Sequence, residues 1–174
     1  MPYLWPKAKK ELYRNGWIDH NKNGMKDPYE DPSLPIERRV EDLLSRMTLQ
    51  EKLRELRSSF KSDSGVGNLS VVLRALEPRQ AAEEANELQR KAIEETRLGV
   101  PVIVHDECLH GCVARHSTVF PQAIALGATW DPELVGRVAS AIAKETRNRG
   151  IRQCLSPVVN LTWDVRAGRT EETF

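Results

Sequence analysis

Val100-Pro101-Val102-Ile103-Val104 is followed directly by His105-Asp106-Glu107-Cys108-Leu109-His110-Gly111. A short continuous apolar run of this kind reads as a parallel strand buried on both faces. The polar residues then fall at its C-terminal end. Before the run, Pro78 opens a helical pattern with Ala81, Ala85, Leu88 and Ala92 on one face, and Gly99 sits where a helix stop belongs. After it, Ala123 to Ala128 is a second candidate strand. Asp131-Pro132-Glu133 then combines a cap, a proline at the first helical position and an acid in the first turn. That helix faces inward with Leu134, Val138 and Ile142, stops at Gly150, and leads into a strand from Ile151 to Val159. Strands alternating with helices define βα units around a parallel sheet.

Upstream, Ile36, Val40, Leu43, Leu44 and Met47 recur on one face of a helix. Thr48-Leu49-Gln50-Glu51 reads as a capping box that starts a second helix, with Leu49, Leu53, Leu56 and Phe60 inward. Ser62 to Ser70 is a Ser/Gly loop, and a degenerate strand lies near Val71. Residues 1–35 form a polar lead and residues 36–174 the domain proper.

The 174 residues carry 26 Lys+Arg against 25 Asp+Glu, a net charge of +1, so no global field favours nucleic acid or an acidic membrane. Hydrophobic residues make up 40%, enough for a packed core. No apolar run approaches the roughly 20 residues of a membrane helix. Met1 to Asn15, with Trp5 and Tyr13, has no apolar core and no cleavage site, so the chain as written reads as cytoplasmic. It is periplasmic or secreted if an upstream signal preceded it. Cys108, Cys112 and Cys154 are odd in number and suggest no disulfide framework. The sequons at Asn68 and Asn160 matter only after export.

Three groups of residues carry candidate chemistry. Asp19-His20-Asn21-Lys22-Asn23-Gly24-Met25-Lys26-Asp27-Pro28-Tyr29-Glu30 matches the twelve-residue calcium loop in full. Asp19, Asn21 and Asn23 would converge on a structural Ca2+, Met25 would offer its carbonyl, Asp27 would act through water and Glu30 would close the site. The alternative is an Asn/Gly turn that binds nothing, and Pro28 and Pro32 break the helix that would follow an EF-hand loop. The second group is Asp106 and Glu107 at the end of the Val100 strand, where carboxylates can hold a polyol or serve as acid and base. His105, Cys108, His110, Cys112 and His116 could also bind zinc, although their spacing is neither CxxC nor HExxH. Buried, inert cysteines are the plainer alternative. The third is Asp164-Val165-Arg166-Ala167-Gly168-Arg169-Thr170-Glu171-Glu172, a site or a plain surface salt-bridge cluster. Gly65-Val66-Gly67 has too few glycines for a phosphate loop.

Several of these stretches resemble glycoside hydrolase family three. Arg39-Val40-Glu41-Asp42-Leu43-Leu44-Ser45-Arg46-Met47-Thr48-Leu49-Gln50-Glu51-Lys52 resembles its "RVxDLLxxMTLEEK" opening. Leu98-Gly99-Val100-Pro101 with Glu107-Cys108-Leu109-His110-Gly111 is similar to "LGIPxxxxxEALHG". Thr118-Val119-Phe120-Pro121-Gln122-Ala123-Ile124 and Ala128-Thr129-Trp130-Asp131-Pro132-Glu133-Leu134 resemble "TxFPQAIxLAATWDPEL". Gly168-Arg169-Thr170-Glu171-Glu172-Thr173-Phe174 resembles the start of "GRxxETFGEDP".

The resemblance implies an α/β fold, the N-terminal half of a (β/α)8 TIM barrel, truncated and preceded by the short calcium-loop-like lead. A complete barrel takes about 250 residues. The implied activity is retaining hydrolysis of a terminal β-linked sugar in the full-length parent, as a β-xylosidase or β-glucosidase acting on an oligosaccharide or aryl β-glycoside, with no catalytic cofactor. Glu107 and Arg169 would hold hydroxyls of the terminal sugar, and Asp106 is a further candidate beside them. Nucleophile and acid/base would lie beyond Phe174, in a missing C-terminal part, so the fragment alone would be inactive. Val165 and Ala167 stand where many members have Pro and Trp. A non-catalytic calcium- or carbohydrate-binding half-barrel is the competing reading.

Overall fold

A computed structural model describes residues 8–60 and 66–173. Trp5, the Ser62–Gly65 part of the expected loop and Phe174 lie outside the described residues. In chain order the elements are β1 (Tyr13–Arg14), β2 (Trp17–Ile18), α1 (Ile36–Arg46), α2 (Leu49–Glu55), β3 (Ser58–Ser59), β4 (Asn68–Ser70), α3 (Pro78–Glu95), β5 (Ile103–Asp106), α4 (Ala123–Gly127), α5 (Pro132–Asn148) and β6 (Gln153–Cys154). Single 3₁₀ turns occur at Lys10–Leu12, Pro28–Glu30 and Thr170–Glu172. The chain divides into two compact units, residues 1–69 with 86–102 and residues 70–85 with 103–174. No described helix is long and apolar enough to cross a membrane.

In the first unit, β1 and β2 form a tight antiparallel hairpin turned at Gly16, and β3 pairs in parallel with β4. The lead is stitched to the C-terminal half of α3. Lys22 Nζ donates to the Ile93 carbonyl at 2.7 Å, and the Tyr29 hydroxyl to that of Leu98 at 3.2 Å. His20 Nδ1 lies 2.7 Å from the Gly99 carbonyl. Carbonyls at a helix C-terminus lack intrahelical partners, so a lysine there satisfies orphan acceptors and complements the helix dipole. Glu94, fully enclosed, accepts from Lys9 N–H at 2.9 Å, the Tyr13 hydroxyl at 3.1 Å and Arg90 at 2.8 Å.

The capping box at Thr48 forms as the sequence predicts: Thr48 Oγ1 accepts from Glu51 N–H, and Glu51 accepts in return from Thr48 N–H. Arg97 joins this cap and holds the Glu51 carboxyl down at about 2. The expected burial of the α1–α2 face is corrected. Leu49, Leu53, Leu56 and Phe60 are exposed, as are Ile36, Val40 and Leu44. Amphipathic spacing marks a face suited to burial, and among the described residues only part of it, at Leu43 and Met47, is half-buried.

In the second unit, β5 and β6 pair in parallel, His105 opposite Gln153 and Asp106 opposite Cys154. Val71, at φ +52°, donates its N–H to the His105 carbonyl at 3.2 Å, so the degenerate strand seen near Val71 ends at Ser70 and turns there. The Asp131 cap is present, accepting from Leu134 N–H at 2.9 Å, and Gly150 follows α5 at φ +91°.

Three strand expectations are corrected. Ala123–Ala128 is helical: Ala123 and Leu126, three apart, are the buried positions, and a period-2 strand would have buried Ala123 and Ala125. The Ile151–Val159 strand shrinks to Gln153–Cys154: Arg152 and Leu155 donate their N–H groups to the Val104 and Asp106 carbonyls of β5, which itself ends at Asp106. β5 starts at Ile103 rather than Val100 and alternates, with Val104 and Asp106 buried and Ile103 exposed, so it is covered on one face only.

Candidate active site

The polar residues of the second unit collect at the C-terminal ends of β5 and β6. Asp106 is the last residue of β5 and is 1% exposed. Its carboxylate accepts from Arg74 Nε at 3.0 and 3.1 Å, and Arg74 Nη2 also contacts Oδ1. Oδ1 further accepts the N–H of Glu107 at 2.7 Å. A fork of guanidinium N–H groups on a carboxylate is the pairing expected for a buried acid, which must be matched in charge and in hydrogen bonds. That pairing is also what chiefly raises the Arg74 pKa.

Glu107 is exposed, and Cys108 after it is buried in the left-handed region, at φ +58°. The chain therefore projects Glu107 into solvent and immediately returns to the core. The Cys108 thiol bonds to those of Cys112 and Cys154 and lies 3.8 Å from Thr146 Oγ1. The bond to Cys112, together with burial, pushes the Cys108 thiol far up. All three cysteines are free. These are packing residues with a protonated, enclosed thiol at their centre, not an exposed thiolate.

Arg169 follows the segment after β6 and caps the Thr170–Glu172 turn, which packs on α4. Its pKa is raised first by the 2.6 Å bond to Glu172, then by the charges of Glu172 and Glu107. The Glu107 charge is thus felt by both Arg74 and Arg169. Asp106 remains the first partner of Arg74 and Glu172 that of Arg169, and Glu107 acts on each arginine through its charge. Arg166, by contrast, pairs with its neighbour Asp164 on the surface.

Sequence patterns did not single out Arg74 or Arg149. Arg74 meets a partner 32 positions away, which no local spacing reveals. Arg149 is 2% exposed and donates to the Leu76 carbonyl at 3.2 Å and to that of Arg115. It ties the loop before α3 to the loop after β5.

In the first unit the Asp19–Glu30 loop closes on itself. Asp19 accepts from Asn23 N–H at 3.1 Å and Gly24 N–H at 2.9 Å, with Lys22 and Gly24 both at positive φ. Asn21 and Asn23 accept from the N–H groups two residues on, and their amides donate to Asp27 Oδ2 at 2.6 and 2.7 Å. Asp27 is ion-paired to Arg46, and Glu30, 3% exposed, accepts from the N–H groups of His20, Asn21 and Asp27. The side-chain oxygens of Asp19, Asn21 and Asn23, like the Glu30 carboxylate, are met by backbone N–H donors of the loop. Among the described residues no three His, Cys, Asp or Glu side chains converge as a metal site, the His105–His116 set included.

Parallel strands with an acid–arginine pair at the end of β5 define an α/β domain. The chain belongs to glycosyl hydrolase family 3: the family's N-terminal domain matches residues 36–174. It is 34% identical over 168 residues to a putative β-xylosidase of Formosa agariphila, a match that covers 84% of this chain and 22% of that protein. It is 32% identical over 186 residues to a periplasmic β-glucosidase/β-xylosidase of Dickeya chrysanthemi, covering 90% of this chain and 28% of the relative. Among solved structures it resembles a β-glucosidase from Erythrobacter marinus, with TM-score 0.73, 34% identity and coverage of 84% of this chain and 22% of that one. The chain spans less than a third of the length of each of these relatives.

Proposed function

We propose that the whole protein carrying this chain removes terminal β-linked sugars with retention of configuration, and that this chain supplies part of the terminal-sugar subsite. The observation that carries the reading is the exposed Glu107 carboxylate, projected from the end of β5, with Arg169 in the segment that follows its parallel neighbour β6. A carboxylate accepts hydrogen bonds from sugar hydroxyls and a guanidinium donates to them, so the pair can fix a polyol ring by two opposite polarities. Family membership, and relatives named β-xylosidase and β-glucosidase, support the substrate class.

In this reading the two units belong to the opening of a (β/α)8 barrel, whose functional groups sit at strand C-termini. The nucleophile and acid/base, roughly 5–5.5 Å apart in a retaining enzyme, come from later in the protein. Glu rather than Asp at position 107 crowds the C6 group of a hexose and favours a pentose such as xylose. Two relatives named periplasmic support an exported place of action.

The test is direct. The complete gene product, given 4-nitrophenyl β-xyloside, should release a first-formed sugar that proton NMR records as the β-anomer. An α-anomer formed first would mean inversion and end the proposed mechanism. No turnover of any β-xyloside or β-glucoside would end the substrate assignment.

We also propose that the Asp19–Glu30 loop takes up one Ca2+. Asp19, Asn21, Asn23, Met25, Asp27 and Glu30 would be its ligands. The support is the twelve-position motif together with the burial of two of its carboxylates, Asp19 and Glu30, in one loop. Calorimetric titration of chelator-stripped protein should give one binding event that is lost in Asp19→Ala. Equal heats in both proteins would remove the calcium reading and leave the loop as a structural knot braced by Glu30.

A further inference from the structure

We propose that Arg74 is a positioning residue for Glu107, acting through Asp106; the inference rests on the reading above of Glu107 as the sugar-holding carboxylate. Asp106 neighbours Glu107 and resembles it chemically, but its surroundings give it another role. Its side chain is enclosed, and both of its oxygens are engaged by Arg74. It has no open edge to offer a hydroxyl. What it does offer is Oδ1 to the Glu107 N–H at 2.7 Å, which fixes the plane of the peptide that leads into Glu107.

The clamp is anchored from several directions. The Asp106 carbonyl accepts from Leu155 N–H at 2.9 Å, tying that peptide to the end of β6. The Arg74 carbonyl accepts from Arg115 N–H at 3.0 Å, and the Arg115 side chain pairs with Glu77 at 2.7 Å. On the far side of Glu107, Cys108 is locked into the core. Glu107 is therefore the one exposed residue between two fixed neighbours, and its backbone direction is set by a buried ion pair. A buried pair of this kind adds little to stability relative to apolar packing, but it holds a geometry. Groups that orient a contacting side chain commonly matter about as much as the contact itself.

The experiment is a double-mutant cycle in the complete gene product, with far-UV circular dichroism melting as the check on folding. Arg74→Gln should lower kcat/KM by about tenfold or more when Glu107 is present. In a Glu107→Ala background the same change should cost less than about twofold, because the group it positions is gone. A purely structural arginine would impose the same factor in both backgrounds, and that result would overturn the inference, as would full activity of Arg74→Gln. If Arg74→Gln does not fold, Arg74→Lys is read in its place, since it keeps a cation for Asp106 and loses only the fork. A fully active Glu107→Ala protein would instead bring down the site reading, and this inference with it. A damaged Glu107→Ala protein beside an intact Arg74→Gln protein would bring down this inference alone.

Discussion

Glu107→Ala in the complete gene product lowers kcat/KM by roughly 10–100-fold, and Arg169→Ala does the same. In the proposed subsite each variant would remove a hydrogen bond to a charged partner, about 1.5–3 kcal/mol in the transition-state complex. The arginine loop contains its own control. Arg166 is an exposed guanidinium three residues from Arg169 that pairs with Asp164. Exposed pairs contribute at most about 1 kcal/mol to stability and none to a subsite they do not face, so Arg166→Ala should leave kcat/KM within about twofold. Steady-state kinetics on aryl β-xyloside and β-glucoside separate the cases. A change below about threefold in Glu107→Ala or Arg169→Ala would remove that residue from the subsite. A loss in Arg166→Ala as large as that in Arg169→Ala would show that the loop matters only as a whole.

Gly150→Ala should strongly destabilise the second unit. Gly150 lies at φ +91°, where an L side chain is strained, and a Cβ there would overlap the Cβ of Ala85. The strain and the overpacking act together, for roughly 2–4 kcal/mol. In a domain of this size that lowers Tm by roughly 5–15 °C. Gly16→Ala is the matched control. Its φ is +82°, yet nothing lies within 4 Å of the added carbon, so only the backbone strain of about 1–2 kcal/mol remains. Equal melting temperatures for the two variants would mean that the contact between the α5–β6 turn and α3 is slack. In that case the small face of α3 is not what seats Gly150.

That small face, Ala81, Ala85, Leu88 and Ala92, was legible from the sequence because a helix repeats every 3.6 residues whatever surrounds it. So were the capping box at Thr48, the Asp131 cap and the stop at Gly150, since each is decided within a few residues of chain. The order of family segments likewise marked the family without any coordinates. Strand extent was not legible. Ile151–Val159 has strand composition along its length, but a strand persists only while a neighbour supplies hydrogen bonds, and β5 ends at Asp106. Whether the apolar face of α1 and α2 is buried was also beyond local reading, because periodicity records which residues could be covered and not what covers them.

The roles within the site divide the same way. The sequence by itself placed two carboxylates side by side at the end of a strand and could not tell them apart. The tertiary structure separated them: adjacent residues leaving a strand face opposite ways, so one side chain entered the core and the other met solvent. The buried one, Asp106, then required a cation, and the chain supplied Arg74 from 32 positions away. Its neighbour Glu107 stayed exposed to solvent. The sequence determined which chemical groups are present; burial, and the charge pairing that burial demands, decided which of them is available to a ligand.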